Sequence, residues 1–283
     1  MEKRNYGLSG EQLSIIGFAG IIVMQETQTD ADRYVAEAID QGVNYFDVAP
    51  SYGDAQDRLG PALAGKRNDI FLACKTEQRT RQESEDALNH SLSVLRTDHF
   101  DLYQLHAMTT PEDVETAFGP NGVMETVIKA KKDGKIRHIG FSAHSDEAAL
   151  ACLERFPFES VLFPLSWMTY LKYGFGQPLL KKAQEKGVTL LALKAMARCA
   201  WPEDLPADKR PYPKCWYQPI DDPQRADLAL RFTLSLPVAA ALTPGDIRLF
   251  RLAMSLLPNY HPITADEIEL LKTWDEDRQP IFK

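Results

Sequence analysis

Four residues in the first 106 positions have the types needed to move a proton at a carbonyl group: Asp47, Tyr52, Lys75 and His106. A tyrosine phenol ordinarily holds its proton to a pKa of about 10, too high for easy donation at neutral pH. A neighbouring ammonium stabilises the phenolate and lowers that value, while a carboxylate fixes and balances the lysine. A histidine beside the phenol can donate a hydrogen bond to a carbonyl oxygen as negative charge develops there. Together the four groups polarise and protonate a carbonyl while hydride arrives from elsewhere. No side chain carries hydride, so a nicotinamide cofactor is implied.

Each of these residues stands at, or just past, the end of an apolar run. Val43–Phe46 ends at Asp47, and the Pro/Ser/Gly turn that follows presents Tyr52. Ile70–Cys74 runs straight into Lys75, and Phe100–Leu105 into His106. Singly, each has a plain explanation: an Asp that bonds loop amides, an aromatic in a turn, a surface Lys, a satisfied core His. Found together at consecutive strand ends, they favour one converging site.

These runs belong to a longer alternation. Strands are expected at Ser14–Gly20, Val43–Phe46, Ile70–Cys74, Phe100–Leu105, Ile136–Phe141, Ser160–Leu165, Val188–Leu193 and Val238–Leu242. Helices are expected between them over Asp30–Gln41, Asp54–Leu63, Gln82–Leu95, Val114–Lys132, Asp146–Leu153, Pro178–Lys186 and Gln224–Leu234. Two more follow, up to Leu256 and over Ala265–Asp275. Eight strand–helix units predict an α/β fold: a parallel sheet closed into a (β/α)8 TIM barrel, one domain over residues 1–283. Arg198–Pro223, with six prolines and Trp201, Tyr212, Trp216 and Tyr217, reads as a long irregular loop after the seventh strand, over the barrel mouth. No Gly-x-Gly-x-x-Gly follows the first strand, so a doubly wound dinucleotide fold has no support.

Composition bounds the rest. A net charge of −8 argues against nucleic acid as a general partner. No apolar run approaches the length of a membrane span, and the N-terminal residues lack the apolar segment of a signal peptide. Cys74, Cys152, Cys199 and Cys215 are scattered without paired spacing, which predicts no metal site and a reduced, cytoplasmic protein. The acidic surface fits a monomer.

The chain resembles the aldo-keto reductase family. The resemblance rests on Gly42-Val43-Asn44-Tyr45-Phe46-Asp47-Val48-Ala49 with Tyr52, Gln56 and Gly60, on Ala73-Cys74-Lys75-Thr76, and on Asp101-Leu102-Tyr103-Gln104-Leu105-His106. It implies Tyr52 as general acid, Lys75 and Asp47 as its tuning pair, and His106 as substrate orienter. It further implies a small-molecule carbonyl substrate and NADPH as cofactor, with NADH as the alternative.

The second half matches that family less closely. Where the family often has Ser-Asn after the fifth strand to hold the nicotinamide carboxamide, Ser142 is followed by Ala143 and His144, so Ser142 carries over and His144 is the candidate substitute. No Gln follows the sixth strand and no aromatic the seventh. There Leu193 precedes Lys194, whose expected role is a cofactor or loop contact. After the eighth strand, Pro244 and Gly245 precede Arg248 and Arg251, the candidate contacts for an adenosine 2′-phosphate, with Asp246 as an unfavourable neighbour. Trp201, Trp216 and Tyr217 are candidates for a hydrophobic wall against the substrate. Two other readings compete with a reductase: a nucleotide-binding sensor or regulatory subunit without catalysis, and a metal-dependent hydrolase using Asp47, His106 and His144. Lys75 is a poor neighbour for a divalent cation. The substrate's identity is not legible.

Overall fold

Strand periodicity decides which residues of this chain face the barrel axis and which face the helices. In the computed structural model, which describes residues 1–275 and 277–282, eight parallel strands close into a barrel. The strands run over Ile16–Ala19, Tyr45–Asp47, Phe71–Thr76, Phe100–Met108, Ile136–Ala143, Ser160–Pro164, Thr189–Leu193 and Val238–Leu242. The eighth pairs with both the seventh and the first, so no edge is left open.

Along the second strand, Phe46 packs outward among the helices while Tyr45 joins a separate cluster on the axis with Phe71, Ala73, Leu102, Leu162, Leu191 and Leu242. Asp47 is two residues beyond Tyr45 and so points the same way. The same rule sends Lys75 inward beyond Ala73, and Gln104 and His106 inward beyond Leu102. Phe46, fully buried, contributes roughly 2–3 kcal/mol to holding that register. Register pairs Asp47 with Ala19 and Ala73, and Lys75 with Gln104, so the strand ends rise to one level.

The floor of the barrel is closed by an antiparallel pair near the N-terminus, Lys3–Asn5 with Gln12–Ser14, which the apolar pattern did not announce. Tyr6 follows it, 1% exposed, with its hydroxyl donating to Ser160 Oγ at 2.8 Å and its ring 5.0 Å from that of Phe71. Gly17 is required beside this cluster: a Cβ there would stand 2.5 Å from Tyr45 Cδ1. Gly60 is required on the outside, where a Cβ would meet Val94 O at 2.3 Å.

Three expected elements differ. The helix expected at Val114–Lys132 is two, Pro111–Phe118 and Val123–Lys132, because Gly119-Pro120 cannot continue a helix. The last helix ends at Lys272 rather than Asp275. The segment expected to be irregular after the seventh strand contains two short antiparallel strands, Ala197–Ala200 and Tyr217–Pro219. Among the described residues, no helix is long and apolar enough to cross a membrane.

Candidate active site

Asp47, Lys75, Tyr52 and His106 all line one cavity at the carboxyl ends of the strands. Lys75, 1% exposed, forms an ion pair with Asp47 and lies 3.5 Å from the Tyr52 hydroxyl. Asp47 also accepts from Gln104 Nε2 at 3.0 Å and lies 3.4 Å from the Tyr45 hydroxyl. The His106 ring meets Tyr52 edge-on, centroids 6.0 Å apart. His106 Nδ1 lies 3.2 Å from Glu77 Oε1 and 3.5 Å from Ser51 Oγ. Arg79 fixes the strand end by donating to the carbonyl oxygens of His106 (2.7 Å) and Ala107 (3.2 Å).

Electrostatics divide the work among these groups. Burial pushes the Lys75 ammonium down, but the Asp47 carboxylate and Tyr52 outweigh it, so Lys75 is held above its ordinary value and stays cationic. Burial is also the largest influence on Tyr52. It raises the phenol, and the opposing pull of Lys75 does not overcome it. The expected lowering of the Tyr52 pKa by Lys75 is therefore only one contribution, and the net shift is upward. The phenol is protonated at neutral pH, and the ammonium 3.5 Å away favours phenolate only as it forms. Burial, with the Lys75 charge next, lowers His106 to about 2, so its imidazole is neutral.

The far side of the cavity is formed by Ser142, His144, Leu162, Leu193, Lys194, Leu242, Thr243 and Gly245. Ser142 Oγ accepts from Ala107 N at 2.9 Å, joining the fifth strand end to the fourth. His144, lowered to about 4 by burial and by Lys194, stacks on Phe282 at 5.2 Å. Lys194 holds a left-handed backbone, φ +69°, uncommon outside glycine, and such strain concentrates at functional positions. Its ammonium lies over the rings of Tyr217 (4.6 Å) and Trp216 (4.9 Å). It has no carboxylate partner among the described residues, and burial lowers it to about 8.

Trp216 and Tyr217 line the cavity. Trp201 is not part of the cavity lining: its indole donates to Cys215 O at 2.7 Å, linking the segments that adjoin the two short strands. Lys214 donates to Ile22 O (2.9 Å) and pairs with Glu26 (2.6 Å), fastening that segment across the turn after the first strand. At the helix Ile247–Leu256, Asp246 is the N-cap and pairs with Arg248, while Arg251 pairs with Glu37. Pro244 and Gly245 precede that cap, and a Cβ on Gly245 would stand 2.5 Å from Ile21.

Several site residues escaped the sequence reading. Gln104 and Tyr45 had a usable signal, since each lies two residues before a strand-end group and shares its face. Thr243, the first residue after the apolar run Val238–Leu242, carried the strand-end signal as well, whereas Lys214 and Ile21 had none, because loop paths bring them in. Gln56 and Gly60, conspicuous beside Tyr52 in sequence, lie outside the cavity. Gln56 donates to Ser91 Oγ at 3.0 Å and joins two outer helices.

A nicotinamide dinucleotide fits the donors present here. Thr243 Oγ1 is buried without a partner among the described residues, and Lys194 offers an uncompensated cation on the same wall.

Comparison with known proteins agrees with this geometry. The chain is 24% identical to the uncharacterized oxidoreductase YqkF of Bacillus subtilis (strain 168), with 100% of this chain and 99% of that protein covered. It is 28% identical to L-galactose dehydrogenase of Arabidopsis thaliana, over 75% of this chain and 70% of that one. Its fold matches the holo form of aldo-keto reductase AKR11C1 from Bacillus halodurans with a TM-score of 0.75, at 24% identity, covering 99% and 100% of the two chains. Residues 20–211 match the model of the aldo/keto reductase family, and the chain is an oxidoreductase belonging to that family.

Proposed function

We propose that the protein is an NAD(P)H-dependent carbonyl reductase that converts a small aldehyde or ketone to its alcohol, with Tyr52 as general acid. The observation that carries this reading is Lys75, buried between Asp47 and the Tyr52 hydroxyl. When bound, the nicotinamide supplies hydride to the carbonyl carbon. Tyr52 Oη gives its proton to the carbonyl oxygen, and the Lys75 ammonium stabilises the phenolate left behind. Asp47 keeps Lys75 charged and aimed, while Gln104 and Tyr45 keep Asp47 in place. His106, with a neutral imidazole edge-on to the Tyr52 ring, orients the carbonyl.

Ser142, His144, Lys194, Pro244 and Gly245 hold the cofactor in this reading, and Arg248 and Arg251 favour NADPH with NADH as the alternative. Trp216 and Tyr217 form the wall against the non-reacting part of the substrate, and Trp201 supports that wall through its bond to Cys215 O. The protein works as a monomer in the cytoplasm, where its four free thiols stay reduced.

The test is consumption of NADPH and of NADH with 4-nitrobenzaldehyde, wild type beside Tyr52→Phe. Loss of roughly 10³-fold in turnover with cofactor binding retained is expected, in the range of a deleted general acid. Wild-type turnover in the variant would remove Tyr52 from its role. Tight cofactor binding without turnover by the wild type would favour a sensor.

A further inference from the structure

Arg251 is already engaged. Its Nε stands 2.9 and 3.2 Å from the two carboxylate oxygens of Glu37, and its Nη2 donates to Glu37 Oε2 at 2.7 Å. The guanidinium also lies over the Tyr34 ring, 5.6 Å from its centroid. Glu37 and Tyr34 both belong to the helix Gln28–Asp40, so one outer helix supplies both the carboxylate and the stacking face. The hydrogen bond from Arg251 holds the Glu37 carboxyl below the usual carboxylate range, so the pair is ionised at neutral pH. Arg248 is engaged as well. It donates to Asp246 through Nε at 2.9 Å and to Pro211 O at 2.7 Å, and it lies over Tyr212 at 4.5 Å.

Resting on the cofactor assignment above, we infer that Glu37 competes with the 2′-phosphate of NADPH for Arg251 and reduces the preference for NADPH over NADH. A guanidinium meets a planar carboxylate or a phosphate through the same two-pronged fork. In Arg251 that fork is filled by Glu37. An incoming phosphate must displace the carboxylate, or share the arginine with a negative charge only a few ångströms away. NADH carries no 2′-phosphate and meets neither obstacle. Lys194, in the cofactor assignment above, acts on a part common to both nucleotides and so does not discriminate between them. Asp246 differs from Glu37 because it also accepts the Arg248 backbone N–H as the helix cap, which makes it a structural necessity as well as a repulsive neighbour.

The test is direct titration of the purified full chain with NADPH and with NADH, without carbonyl substrate, followed by calorimetry. Four proteins are compared: wild type, Glu37→Gln, Arg251→Met and the double variant. Glu37→Gln is expected to tighten NADPH roughly three- to tenfold, the scale of a partly exposed ion pair together with lost like-charge repulsion. Its NADH affinity stays within about twofold, which also certifies that the variant is folded. Arg251→Met costs little NADPH affinity alone and about tenfold in the Glu37→Gln background, because only there is the fork open. Unchanged or weakened NADPH binding in Glu37→Gln would overturn the competition and make Glu37 a support that orients Arg251. If the wild type binds neither nucleotide, the cofactor assignment falls and this inference falls with it. If it binds both and the variant shifts nothing, only the inference falls.

Discussion

The two halves of the barrel mouth handle charge in opposite ways. On the side built by strands two to four, Lys75 is cancelled by Asp47, and Asp47 is held further by Gln104. On the side built by strands five to eight, the lining includes Leu162, Leu193 and Leu242, and Lys194 is balanced only by aromatic faces among the described residues. Thr243 Oγ1 is left without a partner there. Buried polar groups are ordinarily satisfied within the fold, so an unsatisfied wall points to a partner from outside. The first side pairs its charges within the fold, with Gln104 Oε1 the atom there left without a partner, and suits chemistry that needs a fixed proton donor. The second becomes complete only with a ligand.

This contrast can be broken most forcefully at Lys75. Lys75→Met should reduce turnover by roughly 10³-fold and leave Asp47 as a buried charge without its cation, a loss of about 3–5 kcal/mol in urea unfolding. A variant with full rate would show that the first side is not the catalytic one. Gln104→Leu should act on the same side more gently. It removes one donor to Asp47 and lowers stability by about 1–3 kcal/mol, and the turnover number should drop while the cofactor dissociation constant holds.

Lys194→Met should do the reverse, weakening dinucleotide binding about tenfold, as loss of a charge-assisted contact does, with little change in turnover at saturation. Lys194 is cationic below its depressed pKa of about 8 and neutral above it. Wild-type binding should therefore weaken as pH rises through about 8, and the Lys194→Met profile should be flat there. Identical pH profiles for the two proteins would separate Lys194 from the cofactor. The smallest effect is expected for Trp201→Phe, which loses only the bond to Cys215 O. The substrate KM should move less than about threefold and stability by about 1 kcal/mol. A large rise in KM would bring Trp201 into the substrate wall after all.

Legibility in the sequence follows the same division. Asp47, Lys75 and His106 could be read because an apolar run followed by one polar residue is a local signal, and the barrel rule converts three such signals into one place. The eight strands were readable for the same reason. Tyr45 and Gln104 obeyed the period of two but were masked by the aromatic and polar residues around them. The break at Gly119-Pro120 was also visible and should have divided the helix expected there. Lys214 and Glu37 were not readable at all. Each meets its partner across 188 and 214 positions of chain respectively, and no local pattern encodes such a meeting. The Tyr52 shift was misjudged because a neighbouring charge is visible in sequence, whereas the degree of enclosure is not.

Tyr6, wedged under the axis with its hydroxyl on Ser160, has a consequence for traffic. It makes the barrel a vessel with a single door. Whatever enters through the mouth must leave through it, past Trp216 and Tyr217, and a product that lingers bars the next reactant. In the reductase reading proposed above, carbonyl reactant and alcohol product share that one route past Trp216 and Tyr217.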